Sequence, residues 1–222
     1  VYLGMNVDTG KLLAVKTIPI VRLEEDSKEL KSFRAEVDMM RGLHHENIVK
    51  YLGTEVTADS LNILLEYIPC GSIASLVKKI GALGEQILRI YTRQILSGLM
   101  YLHNYHIVHR DVKGSNILVD HTGVIKLTDF GASKRLEELV SANGTQSLKG
   151  TPHWMAPEVI TKNLYCRQND IWGVGCTIIE MATGKPPWSD HKDQMSVLFA
   201  IAQARAPPPY PPALTPVGRD FL

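Results

Sequence analysis

His109-Arg110-Asp111-Val112-Lys113-Gly114-Ser115-Asn116 is the stretch on which the fold turns. It sets a carboxylate, an ammonium and an amide close together, directly before the strand-like run Ile117 to Val119. Toward the C-terminus, Asp120-His121-Thr122-Gly123 offers turn chemistry and leads into a second short strand, Val124 to Leu127. Asp129-Phe130-Gly131 follows that strand, and Ala156-Pro157-Glu158 closes the long segment behind it. Toward the N-terminus, Ala14-Val15-Lys16 lies on a strand, and Glu36 lies on the helix that follows. Taken singly, these residues have ordinary readings. Lys16 would be a solvated strand lysine, Glu36 a solvated helix face, Asp111 a turn residue and Asn116 a loop cap. Their joint order is what calls for explanation.

The rest of the chain divides in character. Val1 to Gly4, Asp8-Thr9-Gly10 and Leu12 to Ile18 read as strand, turn and strand. Asp26 with Glu29 resembles a capping box, ahead of Leu30, Phe33, Val37 and Met40 at helical spacing. Asn47 to Gly53 and Leu61 to Ile68 are apolar runs of strand length. After Pro69-Cys70-Gly71 helices take over: Ile73 to Ile80, then Leu88 to His103 with Ile90, Ile95, Leu99 and Leu102 on one side. A loop is predicted from Asp129 to Glu158, long enough to be functional. An apolar helix from Asp170 and another from Asp193 to Ala204 follow, before an extended Pro-rich run at 206–212. The expected fold class is α+β and bilobal: a small β-rich lobe over 1–68, a linker near Glu66–Gly71, and a larger helical lobe over 69–222.

Composition sets the outer bounds. The 222 residues are 45% hydrophobic and 21% charged, ordinary for a globular protein with a substantial core. A formal net charge of +1 gives no basic field for nucleic acid or an anionic membrane. The cysteines, Cys70, Cys166 and Cys176, are odd in number and not at metal-ligand spacing, which favours a reducing compartment. No apolar run reaches the ~18 residues of a membrane span. The first residues carry no signal or transit pattern, so a cytoplasmic address is expected.

The ordered set quoted above resembles the signature of the protein kinases, a family whose motifs occur in this order and structural context. The resemblance covers essentially the whole chain. Phosphoryl transfer needs charge neutralised on the nucleotide phosphates and a hydroxyl held in line with phosphorus. The resemblance implies that Lys16 reaches the α- and β-phosphates of ATP and that Glu36 holds it by an ion pair. Asn116 and Asp129 would ligate Mg²⁺, a hard ion that prefers oxygen. Asp111 would orient the substrate hydroxyl, and Lys113 would neutralise the transferred phosphate. Val1, Ala14 and Leu118 match the apolar residues that sandwich adenine. Leu65 matches the gatekeeper, Glu66 and Ile68 match the hinge positions, and Asp170 matches a buried carboxylate that braces the catalytic loop.

More narrowly, the chain is similar to mitogen-activated protein kinase kinase kinases of the MEKK and plant NPK/ANP type. Leu61 to Tyr67, Gly71-Ser72-Ile73, Tyr91 to Leu99, Asp129 to Lys134 and Gly150 to Glu158 carry that likeness. Lys113 and Gly150-Thr151-Pro152 then imply serine/threonine substrates, with a MAP kinase kinase as the partner. Arg110 implies pairing with a phosphate on the long loop, with Lys134 as a second basic partner. Thr145, Ser147 or Thr151 is the expected acceptor, supplied by an upstream kinase or by trans-phosphorylation. Thr151 has a second reading as a structural hydroxyl bonded to Asp111 and Lys113.

The pattern also departs from the family. The Gly-rich loop and the last helices of the larger lobe are not in this sequence, which reads as a partial catalytic domain. Asn169 and Gly173 stand where relatives often show Ala and Ser, and Cys70 replaces a common hinge glycine. Two other functions compete. A pseudokinase scaffold is opposed by the presence of Lys16, Asp111, Asn116 and Asp129. A small-molecule phosphotransferase is opposed by the segment from Thr151 to Glu158, a peptide-docking surface in protein kinases. A serine/threonine kinase of another pathway remains the nearest alternative.

Overall fold

The computed structural model describes residues 1–19, 28–141, 149–191 and 193–222. The N-terminal part is built on β1 (Tyr2–Met5), β2 (Leu12–Pro19), α1 (Lys28–Met40), β3 (Tyr51–Val56) and β4 (Ser60–Glu66). The strands form one antiparallel sheet in the order β1-β2-β4-β3. The predicted Asp26 cap lies outside the described residues. On α1, Phe33, Val37 and Met40 are buried at helical spacing, and Glu36 shares that face.

The C-terminal part comprises α2 (Ile73–Ile80), α3 (Glu85–Asn104), β5 (Ile107–Val108), β6 (Ile117–Val119), β7 (Ile125–Leu127), β8 (Lys134–Arg135), α4 (Leu136–Ser141), α5 (Pro157–Lys162), α6 (Arg167–Thr183), α7 (Gln194–Gln203) and α8 (Pro216–Phe221). Strands β6 and β7 pair antiparallel, as do β5 and β8. α2 starts because Ser72 caps it, its hydroxyl accepting the Ser75 N–H at 3.2 Å. α6 is the central helix, its Val174, Cys176, Thr177, Ile178, Met181 and Ala182 all buried.

Three expectations are corrected. Ile90 is 44% exposed, because it lies well round the helix from Ile95; Leu88 and Tyr91 complete the buried seam of α3. The run from Asn47 to Gly53 is not one strand. Its first half is drawn to β7 instead: the Val49 N–H donates to the Leu127 carbonyl, and the Leu127 N–H to that of Asn47, each at 2.9 Å. Asn47 is buried and clamps this junction, donating to the Ile125 carbonyl at 3.0 Å and to Gln94 at 3.1 Å. The loop from Asp129 to Glu158 contains short elements, β8, α4 and the start of α5, and 3₁₀ turns at Phe130–Ala132 and Pro152–Trp154.

Candidate active site

Lys16 projects from β2, opposite Ile63 of β4. Its ammonium lies 2.7 Å from Glu36 Oε1 and 3.0 Å from Asp129 Oδ1. One cation therefore serves two carboxylates of unequal burial: Glu36 is 6% exposed, whereas the Asp129 side chain is 49% exposed. Burial pulls the Lys16 pKa down, but the hydrogen bond and charge of Glu36, with Asp129, outweigh it and raise it above the ordinary value. Burial pushes the Glu36 carboxyl up, and Lys16 only partly offsets this against the added charge of Asp129. Desolvation works the same way on Asp129, yet Lys16, His109 and the Gly131 N–H win and hold it below the usual carboxylate range. Of the two carboxylates, the buried Glu36 is thus shifted up and the exposed Asp129 down. Asp129 itself sits in the left-handed region at φ 66, which turns the chain so that Phe130 buries against His109, ring centroids 5.5 Å apart.

The 109–116 loop is bound to this trio through the backbone. The Thr128 N–H, next to Asp129, donates to the Asn116 carbonyl at 3.0 Å. Asn116 Nδ2 donates to Asp111 Oδ2 at 2.8 Å and to the Asp111 carbonyl at 2.9 Å, which turns its Oδ1 away from Asp111. Asp111 Oδ2 also pairs with Lys113 Nζ at 2.7 Å, and its Oδ1 accepts the Thr151 hydroxyl at 2.9 Å. Lys113 donates to the same hydroxyl. Asp111, Lys113 and Thr151 therefore form a closed triangle, the arrangement of the structural reading of Thr151 rather than of a free phosphate acceptor.

Asp170, 1% exposed, braces the loop from α6. Its Oδ2 accepts the His109 N–H at 2.9 Å and contacts His103 Nε2 at 2.7 Å; its Oδ1 accepts the Arg110 N–H at 2.8 Å. The brace holds Arg110 at φ 70. The Arg110 guanidinium is buried, lies 4.0 Å from the Tyr165 ring centroid, and its Nε has no hydrogen-bond partner among the described residues. With Lys134 and Lys149 it lines a cavity of about 660 Å³ that also borders Glu36. Thr145 and Ser147 lie outside the described residues.

The apolar positions surround the linker. Ala14 pairs with Leu65 across β2 and β4, and Leu65 and Ile68 are each 8% exposed. Leu118 on β6 bridges Ser72, while the Cys70 N–H reaches the Val119 carbonyl at 3.2 Å, holding the linker against β6. Glu66 is fixed by side-chain bonds to the Lys50 N–H at 2.6 Å and Lys126 at 2.9 Å. Val1 precedes β1 and is 84% exposed. The structure thus brings together Lys16, Glu36 and Asp129, and Asp111, Lys113, Asn116 and Thr151.

A family profile described as "Protein kinase domain" matches residues 1–214. The chain belongs to the protein kinase family. Curated relatives of this kinase chain include "Mitogen-activated protein kinase kinase kinase 3" of Arabidopsis thaliana, 51% identical over 100% of this chain and 35% of that protein. "Mitogen-activated protein kinase kinase kinase A" of Dictyostelium discoideum is 48% identical over 100% of this chain and 24% of its own length. A third, "Mitogen-activated protein kinase kinase kinase 3" of Homo sapiens, is 46% identical over 100% of this chain and 36% of its length. The kinase chain spans about a third or less of these relatives.

Two contributors escaped the sequence reading of this kinase site. Asn169 donates to Glu158 Oε1 at 2.7 Å, and its own oxygen accepts the Cys166 N–H at 2.5 Å, so the departure at 169 ties α5 to the start of α6. Gly173 permits close approach: a Cβ there would lie 3.0 Å from the Val112 carbonyl and Cβ. Both lay on a helix whose apolar face dominated the reading, and the partner of Gly173, Val112, is distant in sequence.

Proposed function

We propose that the chain is the catalytic part of an ATP-dependent protein serine/threonine kinase acting on a MAP kinase kinase. The observation that supports this best is the continuous connection from Lys16 through Asp129, Thr128 and Asn116 to Asp111, Lys113 and Thr151. The names of the relatives supply the pathway tier.

Among the described residues no group of three or more His, Cys, Asp or Glu is assembled for a metal. The oxygen donors of Asp129 and Asn116 suit Mg²⁺, which takes one or two protein ligands and completes its shell with water and phosphate. The carboxylate of Asp129, held below the usual range, and the Oδ1 of Asn116 would hold the ion, which would supply charge neutralisation to the phosphates. Lys16, kept charged by Glu36, draws on the same phosphates. Ala14, Leu65, Ile68 and Leu118, with Val1 at the sheet edge, take the adenine, and the linker at Glu66 and Ile68 offers it backbone groups. Asp111 accepts and aligns the substrate hydroxyl, and Lys113 stabilises charge on the phosphoryl in transit. Residues 1–68 and 69–222 form the two lobes around this cleft.

Regulation follows from Arg110. A buried guanidinium whose Nε is unpaired among the described residues, beside Lys134 and Lys149, suits a phosphate on Thr145 or Ser147, placed there by an upstream kinase or in trans. Among the described residues no helix is long and apolar enough to cross a membrane; the proposed address is cytoplasmic, without nucleic acid or membrane partners. The test is transfer of labelled γ-phosphate from MgATP to a catalytically dead MAP kinase kinase by the full-length protein, with Asp111→Asn as control. Transfer that vanishes in the control is expected. Transfer only to a generic protein would remove the pathway tier, and ATP binding without any transfer would leave a scaffold.

A further inference from the structure

Thr215 stands between the Pro-rich run at 206–212 and α8, in a stretch from 204 to 215 that belongs to no helix or strand. It is exposed, and Pro216 follows it. A proline restricts the residue before it to extended backbone, and Thr215 lies there, at φ −63 and ψ 165. The sequence has one other Thr-Pro step, Thr151-Pro152, and the Thr151 hydroxyl is bound in the triangle with Asp111 and Lys113. Of the two, Thr215 is the one at the surface.

A single carboxylate holds it. Glu85, at the start of α3, accepts the Thr215 N–H on Oε2 at 2.8 Å and the Thr215 hydroxyl on Oε1 at 2.7 Å. Arg89, one turn along, donates to the same Oε1 at 2.9 Å. The Thr215 N–H first, then its hydroxyl and Arg89, hold the Glu85 carboxyl below the usual range, so it is charged at neutral pH. The apolar seam beneath is not close-packed: a cavity of about 360 Å³ lies among Leu88, Leu96, Ile178, Leu214, Val217 and Phe221. The polar clamp therefore carries much of the attachment of α8 to α3.

We propose that Thr215 is a phosphoacceptor for a proline-directed protein kinase, and that its phosphate releases α8 from α3. The Thr215 oxygen attacks the γ-phosphorus of ATP. The Oγ–P bond forms as the bond from phosphorus to the ADP oxygen breaks, and the hydroxyl proton passes to the base of the modifying enzyme. The product has lost the donor that Glu85 bound, and it sets about −1.5 to −2 charges against that carboxylate at pH 7. Two attractions oppose this. The start of α8 supplies about half a positive charge, and Arg89 supplies one. Arg93 lies two turns, roughly 12 Å, along α3 from Glu85, and Arg219 donates to the Pro212 carbonyl at 2.9 Å. The attractions fall short of the summed charge of phosphate and Glu85, so repulsion decides. The chain's own transfer activity plays no part in this.

The test treats the full-length protein with a purified proline-directed kinase and MgATP. Tandem mass spectrometry locates the phosphate, and the thermal transition of the kinase domain is followed before and after. Thr215→Val, treated alike, removes the effect of other sites. Phosphate on Thr215 and a Tm lower by about 3–6 °C are expected. In Glu85→Gln, which takes away the charge facing the phosphate, that drop is expected to vanish. The proposal is overturned if Thr215 stays unmodified, if its phosphate leaves Tm unchanged or raises it, or if Glu85→Gln drops as far as the wild type. Should Glu85→Gln not fold, Arg89→Ala decides: without the cation beside the pair the drop must deepen, and an unchanged drop overturns the proposal.

Discussion

Asp170→Asn isolates the brace of the loop, because it changes charge and donor pattern while keeping shape. In the native protein one oxygen serves the Arg110 N–H, and the other serves the His109 N–H and His103. The amide can present its oxygen to only one of these sites. Placed toward His109 and His103, it sets its NH₂ against the Arg110 N–H, leaving one buried donor unsatisfied. Losing a hydrogen bond to a charged group costs about 1.5–3 kcal/mol. The φ of 70 at Arg110 stores roughly another 1–2 kcal/mol, which is released once the N–H is freed. The loop therefore gains a reason to move as it loses its reason to stay. Asp170→Ala strands both backbone donors and His103, at about 4–6 kcal/mol, comparable with the whole stability of a marginal domain. The expected outcome is that Asp170→Asn folds with an unfolding free energy in urea lowered by about 2 kcal/mol and a kcat lowered by about ten- to a hundredfold, while Asp170→Ala is not recovered folded. Denaturation and steady-state kinetics on the full-length protein measure both. An Asp170→Asn variant with native stability and native kcat would refute the reasoning.

Other expectations follow from single features. Asn169→Ala removes the bonds to Glu158 and to the Cys166 N–H and should cost about 1–3 kcal/mol in chemical denaturation. Burial, with the charge of His191, holds the His153 pKa below 6.5, so the folded state disfavours its charged form. The stability it contributes is present above 6.5 and is lost as pH falls through its folded value. Tm should therefore drop as pH falls below about 6.5, and His153→Gln should flatten that slope. Burial raises the Cys176 thiol to about 12, whereas Cys70 is exposed. Mass spectrometry after alkylation of the folded protein should find Cys70 modified first, and Cys176 only after unfolding.

The residues proposed to carry the chemistry could be placed on elements because each belongs to a short run of fixed local geometry. Strand period placed Lys16, helical period placed Glu36 on the helix of Phe33 and Val37, and turn chemistry set off the two strands that precede Asp129. What escaped was set by partners far along the chain. Gly173 reads as a minor substitution until Val112 is found against it. Glu180 reads as one charge in an apolar helix until Gly114 and Trp154 converge on it. The division of Asn47 to Gly53 was hidden for the same reason: its apolar pattern suits a strand, but its first half pairs with β7, some 78 residues on in the case of Asn47 and Ile125. Ile90 was misplaced because a helix with apolar residues at several phases offers more than one seam, and packing against α6 selects between them.

The Asn47–Val49 junction has a mechanical consequence. It pins the link between α1 and β3 to the helical part of the molecule, while the strap from Glu66 to Ser72 pins the sheet to the same part at β6. Two fixed points on a moving body define an axle. Any rotation of the sheet against the helical part that keeps both contacts would have to turn about the line joining them, as a door turns on a pair of hinges. Lys16 rides on that door and Asp129 on the frame, and the 3.0 Å contact between them is the latch.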